Sequence, residues 1–296
     1  MPKLPIDDGH LFYELHGEGP PLFATAGLGG MGAFWRPQLE AWVPHFKVIL
    51  HDHRGTGQSS RDRIQYSVPQ MARDLIALAD GLGIDRFHYV GHSTGAAIGQ
   101  ELALVHPSRL ISAILSAGWP RIDPWFIRCF ETRERLLLAA GPEAYIRAQA
   151  LFLLPPWWVS GNDERLQEME ATQLASFPSE EIVRSRIAAI TNYGPGEALR
   201  TIHTPCLIIC AEDDHLTPPH FAEELHELIP NSDIAILPSG GHFNSFTRSN
   251  EFNETTLDWL LAQAGGTDWI PRRYAKTSTE ATAVAAGAAR HVRPLK

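Results

Sequence analysis

The chain has little cysteine, no long hydrophobic run and no excess of positive charge, and each shortage removes a class of protein. Three cysteines, Cys129, Cys206 and Cys210, stand among 296 residues. They are too few for a disulfide framework, and Cys206 and Cys210 share one predicted strand whose extended backbone holds them too far apart to bond. A reducing cytosol is the expected setting. No apolar run approaches the ~20 residues needed to span a bilayer. The opening stretch "MPKLPIDDGHLFYELHGEG" has no apolar segment after a basic start, so neither a leader nor a membrane partner is expected. Lys and Arg number 25 against 34 Asp and Glu, for a formal charge of −9. The basic residues are scattered rather than gathered in a stripe, which argues against a nucleic-acid surface and for a small-molecule partner. Metal-ligand spacing is missing too: His51 and His53 stand two apart, but no third ligand follows at a workable interval. The glycine-rich "ATAGLGGMG" at 24–32 lacks both the lysine of a phosphate-binding loop and the strand, G-x-G-x-x-G and helix of a dinucleotide site. No metal and no cofactor are expected.

What the chain does have is enough apolar material for a full core, with 44% hydrophobic and 20% charged residues. Short apolar, β-rich runs recur at 11–15, 21–26, 46–50, 87–91 and 111–117, and "SVPQMARDLIALADGLG" at 67–83 carries apolar residues at helical spacing with glycine at its end. That alternation predicts an α/β fold with a mostly parallel sheet covered by helices on both faces. After residue 118 the texture becomes helical, with "IRCFETRERLLLAA" and "EEIVRSRIAAI", and strand texture returns at 206–214 and 233–242 before a helix over about 251–264. The expected organisation is a core first part at 1–118, a helical cap at 119–200, a core second part at 201–264, and an Ala/Thr-rich tail at 265–296, mobile or an oligomer arm. Homodimers are common enough that one is possible here.

"VGHSTG" at 90–95 places Ser93 between two glycines, where a predicted strand ends and a predicted helix begins. A serine nucleophile elbow needs that context, because the turn is tight and holds the hydroxyl above the sheet. The plainer alternative is a turn serine that caps the helix. A nucleophilic serine also needs an orienting acid and a base, arriving in that order along the chain. "CLIICAEDDHLTP" supplies a strand followed by acids, and "AILPSGGHF" a strand followed by His242. Asp213 and Asp214 compete for the acid, since adjacent side chains on a strand point to opposite faces. The amide N–H of Thr94, at the helix start, and that of Leu28, in the glycine-rich loop, are placed to meet developing negative charge.

Taken together, "HDHRGTGQS" at 51–59, "VGHSTG", "AEDDHLTP" at 211–218 and "GGH" at 240–242 resemble the α/β-hydrolase superfamily over about residues 10–264. The resemblance implies Ser93 as nucleophile, Asp214 as acid and His242 as base, with "HDHRGTGQS" supporting the elbow. Within the superfamily, "GLGGMGAFWRPQLE" at 27–40 and the cap segment "RCFETRERLLLAAGPEAYIRAQALFLLPPWW" at 128–158 resemble the aminoacrylate hydrolases of pyrimidine utilisation, the RutD-like proteins. The core is also similar to 3-oxoadipate enol-lactonases. The implied reaction is cleavage of a C–N bond in a small carboxylate-bearing substrate, releasing ammonia. An enol-lactonase or carboxylesterase with the same triad, or a ligand receptor built on the fold, is the alternative. Among the cap arginines Arg121, Arg128, Arg133 and Arg135, the first two lie nearest the core-to-cap junction and are the expected carboxylate holders. Trp119 and Trp158 are the expected aromatic wall of the pocket.

Overall fold

The computed structural model describes residues 2–61, 65–265 and 269–270. These residues form an eight-stranded sheet in the order β1-β2-β4-β3-β5-β6-β7-β8. The strands are β1 Lys3–Ile6, β2 Gly9–His16, β3 Pro21–Thr25, β4 Lys47–His51, β5 Phe87–His92, β6 Leu110–Ser116, β7 Cys206–Ala211 and β8 Ser232–Leu237. Strands β1 and β2 pair antiparallel, β2 joins β4 antiparallel, and from β4 to β8 every pairing is parallel. The sheet is the mostly parallel α/β sheet expected from the alternating runs. The short edge strand β1 adds to that expectation; it is four residues long and includes Pro5, a composition that suits an edge and carries little strand signal.

Every residue of β5 and β7 is buried, which is why β7 reads as a continuous apolar stretch rather than an alternating one, while β5 carries the buried His88 and His92. Neighbouring side chains still go to opposite faces. Phe23, Ile49, Tyr89, Leu115 and Ile208 join one apolar cluster, while Leu22, Val48, Val90, Ile114 and Ile209 join another. On the first face pack α2 Val68–Gly81, α3 Thr94–Val105 and α8 Pro219–Leu228, through Leu78, Leu102 and Leu225 among others. On the second pack α1 Leu39–Trp42 and α10 Ser249–Gln263, through Trp42, Phe252 and Trp259. The short α9 Asn244–Thr247 precedes α10. No helix among the described residues is long and apolar enough to cross a membrane.

Four helices stand between β6 and β7: α4 Pro124–Leu153, α5 Pro156–Gly161, α6 Asp163–Ala175 and α7 Glu180–Thr191. Helix α4 is broken at Gly141, where φ is 81°, and Pro142 opens its second half. Its C-terminal end lies against the loop after β8, with the Leu153 carbonyl accepting the Phe243 N–H at 3.0 Å. That approach depends on Gly241: its φ is 63°, and a Cβ there would stand 2.9 Å from Pro155 Cδ. Of the segment 265–296, Gly265, Trp269 and Ile270 are described and the remainder lies outside the described residues.

Candidate active site

The turn between β5 and α3 is built by steric necessity. A Cβ on Gly95 would stand 2.2 Å from the Thr25 carbonyl oxygen, and one on Gly91 would stand 2.2 Å from the Gly95 carbonyl oxygen. Only glycine lets the strand, the turn and β3 come this close. Ser93, between them, has φ 54° and ψ −109°, a conformation that costs a non-glycine residue free energy and persists only where the surroundings impose it. The surroundings here are explicit: the Ser93 N–H donates to the Ser116 carbonyl at 2.8 Å, the Ala97 N–H donates to the Ser93 carbonyl at 3.1 Å, and the Tyr89 hydroxyl donates to the Gly95 carbonyl at 2.6 Å. The Ser93 side chain makes no capping hydrogen bond to α3. The helix-cap reading of this serine therefore has no support in the geometry.

Asp214, just past β7, and His242, just past β8, are both buried and meet with Nδ1 2.9 Å from Oδ2. Asp214 Oδ1 accepts the N–H groups of Leu216 at 2.8 Å and Thr217 at 2.9 Å, and Oδ2 accepts the Thr217 hydroxyl at 2.8 Å. With the carboxylate accepting from every side, the proton of the pair belongs on His242 Nδ1, and Nε2 is left as the basic nitrogen. The neighbouring Asp213 does something else: its Oδ1 accepts the Gly241 N–H at 2.8 Å and so steadies the loop that carries the histidine. Ser93 and His242 line the same cavity. Among the described residues no hydrogen bond joins them.

Gly27 sits against the serine, since a Cβ there would be 3.3 Å from Ser93 Cβ. This brings Leu28 to the cavity wall. Its carbonyl is pulled back by Arg186, whose Nη2 and Nε donate to it at 2.8 and 3.2 Å. Arg186 also donates to the Arg54 carbonyl at 3.0 Å, and its Nη2 lies 3.1 Å from His53 Nδ1. Burial lowers the Arg186 guanidinium to about 10 and holds His53 well below the usual histidine range. The segment 51–59 thus braces the 27–32 loop: Asp52 accepts the Gly32 N–H at 2.9 Å and the Gln58 N–H at 2.9 Å. Thr94, fully buried, stands at the first turn of α3 beside Ser93. His92, also fully buried, stacks on Phe34 at 4.9 Å and lies 4.8 Å from the His242 ring; burial and the neighbouring His242 hold it well below the ordinary histidine value.

The cavity measures about 340 Å³, at the small end of ligand sites. None of the four residues expected to bind substrate from the cap lines it. Arg121 precedes α4 and pairs with Glu224 on the surface. Arg128 is on the exposed face of α4. Trp119 is fully buried, with its indole N–H donating to the Tyr193 carbonyl at 2.8 Å, and Trp158 packs on Phe246 at 5.4 Å. Two cap arginines do line the cavity, Arg186 of α7 and Arg133 of α4, and Arg133 is 3% exposed. Its position was readable: Phe126, Cys129, Phe130, Arg133 and Leu137 share the buried stripe of α4 at helical spacing. Phase along the helix, rather than distance from the junction, turns Arg133 toward the cavity.

Residues 20–249 match the model of the alpha/beta hydrolase fold family. The chain is an α/β-hydrolase. Over 257 residues this hydrolase is 44% identical to an Azorhizobium caulinodans protein that carries the name carbamate hydrolase RutD, covering 87% of this chain and 97% of that one. A protein of the same name from Caulobacter sp. strain K31 is 42% identical over 86% of this chain and 97% of its own length. Among solved structures, the enol-lactonase of Burkholderia xenovorans LB400 superposes with a TM-score of 0.81 at 24% identity, covering 88% of this chain and all of that one (100%). At that identity the likeness is one of fold.

Proposed function

We propose that this α/β-hydrolase is a cofactor-free, serine-type enzyme acting on a small carboxylate-bearing substrate, with 3-aminoacrylate as the substrate and ammonia and malonic semialdehyde as products. The observation that carries the reading is the Asp214–His242 pair, 2.9 Å apart, opening onto the cavity that Ser93 lines from its strained turn. In this reading His242 Nε2 takes a proton from Ser93 or from a water held beside it, and the freed oxygen attacks the carbon that bears nitrogen. The N–H groups of Leu28 and Thr94 stabilise negative charge as it develops, and the imidazolium, steadied by Asp214, returns the proton to the departing nitrogen. For aminoacrylate the attack is on the imine tautomer, and where Ser93 makes it, a water then adds to the serine-bound carbon and expels Ser93 after ammonia has left, so that one water enters and one ammonia and one malonic semialdehyde leave. The free state of the three cysteines fits work in a reducing cytosol.

Carbamate is the second reading, and the names of the relatives favour it. Both substrates are small anions that lose ammonia from an sp² carbon, so one cavity suits both. The test is ammonia release from freshly generated aminoacrylate and from carbamate, alongside lactone opening. Acceleration with aminoacrylate, lost in Ser93→Ala and His242→Ala, is the expected result. Acceleration with carbamate alone moves the assignment to the second reading, and lactone opening alone to an esterase. No turnover of any of them overturns the hydrolase reading in favour of a receptor.

A further inference from the structure

Among the described residues Arg133 is a cation with no anion. Its side chain is buried on α4, 5.0 Å above the Phe130 ring and 5.3 Å from the Tyr145 ring, and Nη2 donates to the Tyr145 hydroxyl at 3.2 Å. Nε is buried without a hydrogen-bond partner. Among the described residues no carboxylate pairs with it. A guanidinium carries five N–H donors, and burying them unpaired is costly unless a partner is present in the working state. The aromatic faces offset part of that cost but accept no hydrogen bond along the guanidinium plane. The other guanidinium on the wall, Arg186, is committed to the carbonyls of Leu28 and Arg54. Arg133 is therefore the one of the two with donors to spare, and it faces the same cavity as Ser93 and His242.

From this geometry we infer that Arg133 is the substrate's carboxylate anchor, gripping that group through its planar fork while the scissile bond lies at Ser93, with Tyr145 as the positioning residue behind it. This rests on the hydrolase reading above for its second half, the placement of the scissile bond, and not for its first, the binding of a carboxylate. A planar fork holds two oxygens in a fixed orientation, so it would choose carboxylate-bearing substrates over neutral ones of equal length.

The experiment has two arms. In the first, methyl hydrogen succinate and its neutral near-isostere methyl butyrate are compared as substrates; the ratio of their kcat/KM values is expected to fall roughly 10- to 100-fold in Arg133→Gln, as loss of a charge-assisted contact would produce. Arg133→Lys keeps the charge but not the fork and should recover part of the ratio. A ratio within about threefold of wild type, or equal losses on both esters, would mean a packing role only and overturn the proposal. In the second arm, binding of butyrate is followed by ligand-observed NMR, which needs no chemistry. Its Kd should rise roughly 10- to 100-fold in Arg133→Gln and by a smaller factor in Tyr145→Phe. Absence of butyrate binding to wild type, or equal affinity in the variants, overturns the anchor even if the enzyme cleaves both esters. If wild type cleaves neither ester yet shows the binding pattern, the anchor stands and the hydrolase reading is what fails. Thermal melts establish which variants are folded; should Arg133→Gln not fold, Arg133→Lys and Tyr145→Phe decide both arms.

Discussion

Lowering the pH from about 7.5 to about 5.5 should cost this protein much of its stability, and four histidines set the amount. His51, His53, His88 and His92 are all buried. Burial lowers His51 and His88 to about 4 and pushes His53 and His92 well below the ordinary 6.5. A histidine held neutral in the fold and free to protonate when unfolded contributes nothing against stability above pH 6.5, where both states are neutral. Below 6.5 the unfolded chain takes up protons that the folded chain refuses, and stability falls as pH falls until the folded value is reached. At about pH 5.5 each such histidine costs between about 1 and 2 kcal/mol, so four cost about 6 kcal/mol. That is comparable to the whole stability of an ordinary domain, about 5 to 15 kcal/mol. Asp52 works in the opposite direction, because burial raises its carboxyl and acid relieves it, but one carboxyl against four imidazoles leaves the sign unchanged. Urea unfolding at half-unit pH steps measures the slope. Replacing His88, whose Nδ1 lies 2.8 Å from the Ser112 hydroxyl, with glutamine should remove about a quarter of it. A free energy of unfolding that stays flat between those pH values would show that these imidazoles are not neutral in the fold.

Two further perturbations probe the turn and the acid. Gly95→Ala would drive a methyl group to 2.2 Å from the Thr25 carbonyl oxygen, so the variant should lose about 3 kcal/mol or fail to fold; a melt indistinguishable from wild type would contradict the packing described. Thr217→Val keeps the volume but removes the hydroxyl that donates to Asp214 Oδ2, and kcat/KM should drop roughly 10-fold with little change in melting temperature. Unaltered kinetics in that variant would show that the carboxylate needs only its two backbone donors and His242.

The parts of the site that reveal themselves in the sequence are those made by neighbours in the chain. An apolar run followed by Gly-x-Ser-x-Gly needs no tertiary knowledge to mark the turn at Ser93, and the order of Asp214 and His242 behind two further strands follows from the sheet itself. Long-range choices are less legible. Arg186 reaches the Leu28 carbonyl across 158 positions of chain, and nothing local to "EEIVRSRIAAI" distinguishes it from a solvated helix arginine. Arg133 was legible in principle, because Phe126, Phe130 and Leu137 fix the buried phase of α4 around it. The separate task given to Asp213, bracing Gly241, could not be read from two adjacent acids at a strand end, where the same residue type serves two different partners.

The proposed reaction turns on activation of Ser93 by the His242–Asp214 pair. Treating the protein with a fluorophosphonate and mapping the adduct by peptide mass spectrometry tests it without knowledge of the substrate. A single stoichiometric phosphonyl group on Ser93 is expected, formed far more slowly in His242→Ala and Asp214→Asn. Labelling at another residue, or labelling of Ser93 at the same rate in all three proteins, would contradict it.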